Sequence, residues 1–400
     1  MPPSAVNFLF LNPWDRVIGP NRYLVEMLRH RRGLAAESLV VFDRAHDGAE
    51  ELRALGCRVE IWPEVALIRP GLGIIHWLAL AQHHSFGGLR FARRLRRLRP
   101  RLLVSNTENL WLGGFGSRLL GIPHVQIFHA LTVFERLGRR PRALRAYLRF
   151  LAGGCQRLIA VSETQAAALE RGGVAKEQVT VVPNPIAIEA LQQAAQEPLG
   201  VRSAAALQSV DGPVLVSAGR ICTLKGQDLL VEALASVRER FPTLHCLFAG
   251  RFGAGEGAGA AEQRFQQRLL DRIQTLGLGE QVTFLGEIDD LPALLRRADL
   301  YVQPSRSESF GRVVAEALAC GTPVAAFDVG AVGEVMGPGG RLARPEDPAD
   351  LADTISMLLG DPAASQLVEA GAEHLSHFAA PGVAERFETI LRSILGSGIG

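Results

Sequence analysis

The chain has 400 residues, 48% of them hydrophobic and 21% charged, with a formal net charge of +2. This composition excludes a disordered or fibrous chain and fits a globular protein with two domains of ordinary size. Five cysteines without CxxC spacing, set mostly in apolar runs, exclude a disulfide framework or zinc ribbon and point to reduced core thiols in a cytoplasmic protein. No apolar stretch reaches about 18 residues, so no membrane span is expected. The nearest, Gly71 to Ala81, is short and follows Arg69 and Pro70. Met1 to Val6 carries no basic region, so no secretory leader is expected. The small net charge hides an asymmetry. Met1 to Asn184 holds 26 Lys and Arg against 14 Asp and Glu, a formal +12, and the remainder is −10. Different partners for the two halves follow.

In chain order, Val6 to Leu11 reads as a strand. Asn12-Pro13-Trp14 opens a loop holding Gly19 and Pro20, with Asn21 as cap of a helix from Arg22 to His30. A first strand, a glycine-bearing loop and a helix face phosphate in α/β folds, which makes Gly19 a candidate diphosphate contact. Strand signals then recur at Leu39 to Phe42, Arg58 to Trp62, Leu102 to Ser105, His124 to Phe128, Arg157 to Val161 and Val179 to Val182, with helical patterns between them. Such alternation argues for a parallel sheet covered by helices. His129 ends one of these strands; on its own it reads as a satisfied, partly buried side chain. Ser162-Glu163 reads as a helix N-cap with an acidic first turn.

Two basic runs stand out. Arg90, Arg93, Arg94, Arg96, Arg97, Arg99 and Arg101 alternate with Leu89, Leu95 and Leu98. Arg136, Arg139, Arg140, Arg142, Arg145 and Arg149 alternate with Leu144, Tyr147 and Leu148. Both read either as solvated arginine faces or as a peripheral docking surface for anionic lipid headgroups. Nucleic acid is not expected, since no aromatic platform or nucleic-acid motif accompanies the charge.

After a turn at Pro183-Asn184-Pro185 and an Ala/Gln-rich linker, Pro213 to Ser217 opens the second half as a strand. Arg220 and Lys225 flank four residues on the loop that follows, before a helix from Asp228 to Glu239. A guanidinium fork and an ammonium at a strand's carboxyl end suit a diphosphate. The chain has only two lysines, Lys176 and Lys225, so this one is not compositional noise. Further strands are His245 to Ala249 and Val282 to Leu285, the latter closing through Gly286-Glu287-Ile288. Gly250 to Ala260 reads as a flexible insertion, and Asp289-Asp290 as an N-cap. Helices are expected at Asp347 to Leu359, Leu367 to Phe378 and Val383 to Leu395.

The stretch from Pro304 to Val335 organises the whole. Leu300 to Val302 ends as a buried strand, Ser305 to Ser309 is a loop, and a helix begins at Phe310 or Gly311. Gly321 and Pro323 stop it, and Val324 to Phe327 is the next strand. The amides of Ser309, Phe310 and Gly311 then stand at a helix N-terminus, a ready anion site. Glu308 stands before it, and Glu316 is expected about two turns into the helix.

Glu308-Ser-Phe-Gly, then Glu316-Ala-Leu-Ala-Cys-Gly-Thr-Pro-Val, together with Gly-Arg220, four residues and Lys225-Gly, resembles the signatures of the retaining family 4 glycosyltransferases (glycosyltransferase group 1). The resemblance covers most of the chain, strongest from Pro213 to Val335 and weakest before His124. It implies an α/β, GT-B fold: two Rossmann-like domains whose parallel sheets face each other across a cleft. The expected division is an acceptor-binding domain at 1–186 with a crossing helix at 381–400, and a nucleotide-sugar-binding domain at 187–380. It implies that Arg220, Lys225 and the Ser309, Phe310 and Gly311 amides hold the donor diphosphate, with Gly19 near it. Glu316 would bind the ribose, Ile288 would lie at the base, and Glu308 and His129 would contact the transferred sugar as the catalytic pair. Two departures stand out: relatives usually carry two adjacent glycines where this chain has Gly19-Pro20, and Pro-Asn-Gly-Ile-Asp where it has Pro183-Asn-Pro-Ile-Ala187.

The expected function is transfer of a sugar, with retention, from a UDP- or GDP-linked nucleotide-sugar to a glycan or lipid-linked acceptor, as in polysaccharide or lipopolysaccharide synthesis. The enzyme would be cytoplasmic or peripheral on the cytoplasmic face of the inner membrane, with no metal and no cofactor beyond its donor substrate. The physics agrees, because a departing diphosphate needs a metal or fixed cations, and no Asp-x-Asp sits at a suitable loop. Two other readings stay open: a nucleotide-sugar 2-epimerase of the same fold, and an inactive GT-B-like binding protein.

Overall fold

The structure, a computed structural model, describes residues 6–12, 18–45, 48–65, 87–130, 141–208, 210–252, 260–362 and 364–396. The chain divides into two compact units, Met1–Pro185 with Ala380–Gly400, and Ile186–Ala379.

The first unit is built on β1 (Phe8–Leu11), β2 (Ser38–Phe42), β3 (Arg58–Ile61), β4 (Leu102–Ser105), β5 (His124–Phe128), β6 (Arg157–Ala160) and β7 (Val179–Val181). They form one all-parallel sheet in the order β3-β2-β1-β4-β5-β6-β7. β1 is a continuous apolar run, and every residue of β1, β4 and β5 is buried, the polar Ser105, His124 and Gln126 included, as in a sheet covered on both faces. The strand order reverses between β1 and β4, so their carboxyl ends border the crevice where such sheets take ligands.

The C-terminal helix Ala380–Gly396 belongs to this unit. Its Phe387 ring meets Tyr23 of the helix Ile18–His30, with centroids 6.0 Å apart. Arg392 donates to Glu37 at 2.8 Å and to Glu388 at 2.7 Å, and Glu388 also accepts from Arg31.

The second unit carries β8 (Val214–Ala218), β9 (His245–Ala249), β10 (Val282–Gly286), β11 (Leu300–Gln303), β12 (Val324–Phe327) and β13 (Gly340–Ala343), again all parallel, in the order β10-β9-β8-β11-β12-β13. Its switch point lies between β8 and β11. The expected helix of the organising stretch runs Arg312–Ala319, with Val314, Ala315, Ala317 and Leu318 buried. Burying a Val or Leu side chain contributes roughly 1.5–3 kcal/mol.

Several local expectations change. Ile18–His30 is helical, so Gly19 lies in a helical first turn rather than a loop, and Asn21 is not the cap. The Ala/Gln-rich linker holds two helices, Ile188–Ala194 and Val201–Leu207. Ala260–Thr275 is a 16-residue helix with no counterpart in the sequence reading. Asp290 precedes the helix Leu291–Arg297 without capping it; its carboxylate accepts from the Gly200 amide at 2.7 Å. Ser162 does cap its helix, accepting from Gln165 N at 3.1 Å. Most of the glycine/alanine insertion, the stretch Gly71 to Ala81, and Arg136, Arg139 and Arg140 lie outside the described residues. Among the described residues no helix is long and apolar enough to cross a membrane.

Candidate functional site

In the second unit the loops after β8 and β11 press together at the switch point. Thr223–Lys225 is a single 3-10 turn ended by Gly226 at φ +68°, and a Cβ there would overlap the Pro304 carbonyl. Only glycine both adopts that φ readily and lets the two backbones touch. Arg306 straps the same loops: its amide donates to Leu224 O at 2.9 Å, its guanidinium to Thr223 O at 2.6 Å, and both its terminal nitrogens to Asp228, at 2.8 and 2.7 Å.

This contact brings Lys225 to Glu308, Nζ to Oε1, at 2.5 Å. The same oxygen accepts from Gln303 Nε2 at 2.5 Å and Ser305 Oγ at 2.8 Å. Tyr301 donates to Gln303 Oε1 from behind. Tyr301 and Gln303 alternate along β11 onto one face, so a strand's period of two lines up the chain of donors. Burial pushes the Tyr301 phenol well above its ordinary pKa, with the charges of Glu308 and Glu316 adding to the effect, so it stays a donor. Glu308 is buried and Lys225 partly so. A buried ion pair is a weak source of stability and is better explained by a task. An ammonium has three hydrogens, and one goes to Glu308, which leaves two directed elsewhere.

Arg220, one residue past the positive-φ Gly219, is exposed and makes no ion pair among the described residues. Gly311, at φ +89°, turns the chain into the helix Arg312–Ala319. The Phe310 and Gly311 amides make no hydrogen bond to another described residue. The Phe310 side chain is buried edge-on against Phe378, centroids 5.4 Å apart, so only its backbone faces the site. Glu316 is the fifth helical residue, one turn in rather than two; it is buried, with Oε1 3.6 Å from Arg312 Nε. Ile288 lies two residues beyond β10 and is half-buried.

In the first unit the switch point has a different lining. Asn12 follows β1 and Asn106 follows β4. Asn12 Nδ2 donates to Asn21 Oδ1 at 2.6 Å, Asn106 Nδ2 donates to Asn12 Oδ1 at 2.7 Å, and His129 Nε2 lies 2.9 Å from Asn106 Oδ1. The Tyr23 ring stands edge-on to His129, centroids 4.9 Å apart. Desolvation pushes the His129 pKa down to about 3, so the ring is neutral at physiological pH. Glu108 is buried, its pKa raised by desolvation, and its Oε2 accepts from the His129 amide at 3.1 Å. Gly19 lies near this cluster in sequence, one residue before Pro20, whose carbonyl accepts from Asn106 at 2.8 Å.

Sequence reasoning missed Gln303, Ser305 and Arg306 in one unit and Asn12, Asn106 and Glu108 in the other. Gln303 carried a signal, a lone polar residue ending an apolar strand. Asn106 and Glu108 lie in the polar run Ser105 to Asn109 after β4, but nothing local pairs that run with β1.

The fold is that of the GT-B class. HepE from Anabaena, solved in complex with UDP and glucose, superposes with a TM-score of 0.77 at 23% identity, over 97% of this chain and 100% of that one. Sucrose-phosphate synthase from Thermosynechococcus elongatus does so with a TM-score of 0.72 at 22% identity, over 98% and 99%. The family described as "Glycosyl transferases group 1" matches residues 203–374, and "Glycosyltransferase Family 4" matches residues 43–190. D-inositol 3-phosphate glycosyltransferase 1 of Catenulispora acidiphila is 32% identical over 302 residues, 72% of this chain and 71% of that protein. The D-inositol 3-phosphate glycosyltransferase of Nocardiopsis dassonvillei is 30% identical over 397 residues, 89% and 85%. The chain therefore belongs to the family 4, group 1 glycosyltransferases, and is a glycosyltransferase.

Proposed function

We propose that the protein transfers a hexosyl group, with retention and without a metal, from a nucleoside-diphosphate sugar, UDP- or GDP-linked, whose diphosphate lies at the β8/β11 switch point. The observation that carries this reading is the Lys225–Glu308 pair at 2.5 Å beside Arg220 and the Phe310 and Gly311 amides. Departure of a nucleoside diphosphate develops charge on phosphate oxygens, and pre-placed donors stabilise it. One cation about 4 Å from such an oxygen, at an effective dielectric near 20, contributes roughly 4 kcal/mol of Coulomb energy before desolvation. The two remaining Lys225 hydrogens reach the diphosphate while the third holds Glu308, so one ammonium ties leaving group to carboxylate. Ser309 adds its amide, Glu316 takes the ribose hydroxyls, and Ile288 lies at the base. Glu308 orients the transferred sugar, His129 is assigned to that sugar on the resemblance alone, and the leaving phosphate takes the acceptor's proton on the same face. Gly19, in its helical first turn, is assigned to the donor side on the resemblance alone. The complexes of HepE with UDP and with UDP-glucose support a UDP-linked donor.

For the acceptor, a lipid-linked glycan at an anionic membrane is supported by the helix Gly88–Leu98, which exposes Leu89, Arg90, Arg93, Arg96 and Arg97, and by Arg142, Arg145, Arg149 and Phe150 on the helix Pro141–Ala152. Arg94 does not join that surface: it pairs with the buried Glu64 at 3.0 Å and lies over the Trp62 ring. A second reading, a phosphorylated polyol as acceptor, is favoured by the names of the curated relatives. The deciding experiment supplies UDP- and GDP-sugars with EDTA, and as acceptor either undecaprenyl-linked glycans in anionic vesicles or D-inositol 3-phosphate. Transfer that requires added Mg²⁺ or inverts the anomeric centre would overturn the mechanism.

A further inference from the structure

The Glu308 carboxylate is fastened by one of its two oxygens. Oε1 accepts from Lys225 Nζ at 2.5 Å, Gln303 Nε2 at 2.5 Å and Ser305 Oγ at 2.8 Å. The direction of each bond is settled by what the atoms can do. Lys225 Nζ and Gln303 Nε2 only donate. Gln303 Nε2 gives its second hydrogen to Ser305 Oγ at 2.7 Å, which leaves the single Ser305 hydrogen for Glu308. Gln303 Oε1 only accepts, and it takes the Tyr301 hydroxyl hydrogen, so the Gln303 amide is set with its nitrogen towards Glu308. Tyr301, Gln303 and Ser305 follow one another at every second residue through the end of β11, and all three are buried. The main chain of Glu308 is held as well. Its carbonyl accepts from the Ala331 amide at 3.1 Å, and Gly330, at φ +56°, lies so close that a Cβ there would overlap that carbonyl. A carboxylate has about four acceptor positions, roughly two on each oxygen, so three donors saturate Oε1. Oε2 differs: it makes no hydrogen bond among the described residues and is not closed off by them.

We infer that Gln303 and Ser305 are positioning residues that fasten Glu308 by Oε1, so that the carboxylate meets the transferred sugar through Oε2 alone and reads a single hydroxyl. This rests on the reading of Glu308 as a sugar contact. A carboxylate that grips two neighbouring hydroxyls gives one oxygen to each, and here the first oxygen is taken. The hydroxyl on Oε2 is then a specificity determinant, because a sugar that lacks it leaves a held acceptor unpaired. Its neighbours on the ring are not read by Glu308. Tyr301 acts one step further back, since its hydroxyl sets which way the Gln303 amide faces.

The test measures, by calorimetry on the full chain, affinity for UDP, UDP-glucose and the 2-, 3-, 4- and 6-deoxy analogues of UDP-glucose, or for GDP and the matching GDP-mannose series if GDP binds and UDP does not. In the wild type one deoxygenation should weaken binding roughly tenfold or more, and in Glu308→Ala that penalty should fall below about threefold. No adjacent position should carry a penalty that Glu308→Ala abolishes. Gln303→Met keeps the length of the side chain, and Ser305→Ala removes only the hydroxyl. Each should cut the same penalty below about threefold, while UDP affinity stays within about twofold and thermal unfolding shows a folded protein. A residue that merely held the fold would weaken UDP and every analogue alike. Two adjacent positions coupled to Glu308, or a wild-type penalty kept in Gln303→Met and Ser305→Ala alike, overturns the proposal and leaves the sugar contact standing. A series in which no position depends on Glu308 removes the sugar contact itself, and the proposal with it.

Discussion

The two units share one topology and place their polar side chains at the same point of it, yet fill that point with opposite chemistry. Between β1 and β4 lies a file of neutral groups, Asn21, Asn12, Asn106 and His129, joined side chain to side chain. Between β8 and β11 lies a charged knot, Lys225 on Glu308, with Gln303 and Ser305 donating to the same carboxylate oxygen. A parallel sheet supplies the crevice, and residue type decides its use. A neutral file holds one orientation regardless of salt or of the charge of what approaches. A cation on a carboxylate is built to share its remaining donors with an incoming anion.

The largest expected effect breaks the knot. Glu308→Gln keeps the size and an acceptor but removes the charge, and turnover should fall by about a hundredfold or more, in line with the loss of an electrostatic group at developing charge. UDP affinity measured by calorimetry should stay within about threefold. A parallel loss of affinity would mean that Glu308 serves the nucleotide and not the sugar. Lys225→Ala should reverse that balance, with UDP affinity falling at least tenfold, close to the ~1.4 kcal/mol that one well-placed charged hydrogen bond contributes. Unchanged affinity would remove Lys225 from the site.

Acid should distinguish the units next. Burial depresses the His124 pKa to about 4 and that of His129 to about 3, both in the first unit. Below the ordinary histidine value of about 6.5 the unfolded chain binds protons that the folded unit refuses. Stability is thus fully present above about pH 6.5 and is lost as pH falls towards 4 and 3, by roughly 1.4 kcal/mol per pH unit for each ring. Hydrogen exchange followed by mass spectrometry between pH 7 and 5 should show the first unit's sheet losing protection before the second's. Simultaneous loss would contradict the assignment of neutral, buried rings.

The smallest effect concerns the surface. Changing Arg90, Arg93, Arg96 and Arg97 to Gln, and leaving Arg94 on Glu64 and Trp62, should lower co-sedimentation with anionic liposomes several-fold at low salt. UDP affinity should not change. Wild-type protein that stays in the supernatant would identify the arginines as a solvated face and favour a soluble acceptor.

The charged knot was largely legible because its parts are contiguous. Glu308, Gly311 and the helix they precede occupy one short strand–loop–helix, and Arg220 and Lys225 one strand end, so spacing alone places each on its own loop. Glu316 was placed a turn too deep because the helix starts only at Arg312. The neutral file was not legible. Asn106 is 94 residues from Asn12, and no periodicity announces that the strands before them are neighbours. The inward Arg94 shows the same limit: within its helix it looks like its exposed neighbours, and only the approach of Trp62 and Glu64 sets it apart.

By itself, then, the sequence determined the strands other than Gly340–Ala343, a minority of the helices and the two-domain α/β class, and it placed Arg220, Lys225 and Glu308 on loops at strand ends, since those are properties of short windows and of hydrophobic alternation. The tertiary structure alone decided which strand ends meet, which oxygen of Glu308 collects three donors, and which side chains gather around His129. Those depend on strand order, and strand order is set by the burial of whole sheets, a sum over residues far apart in the chain.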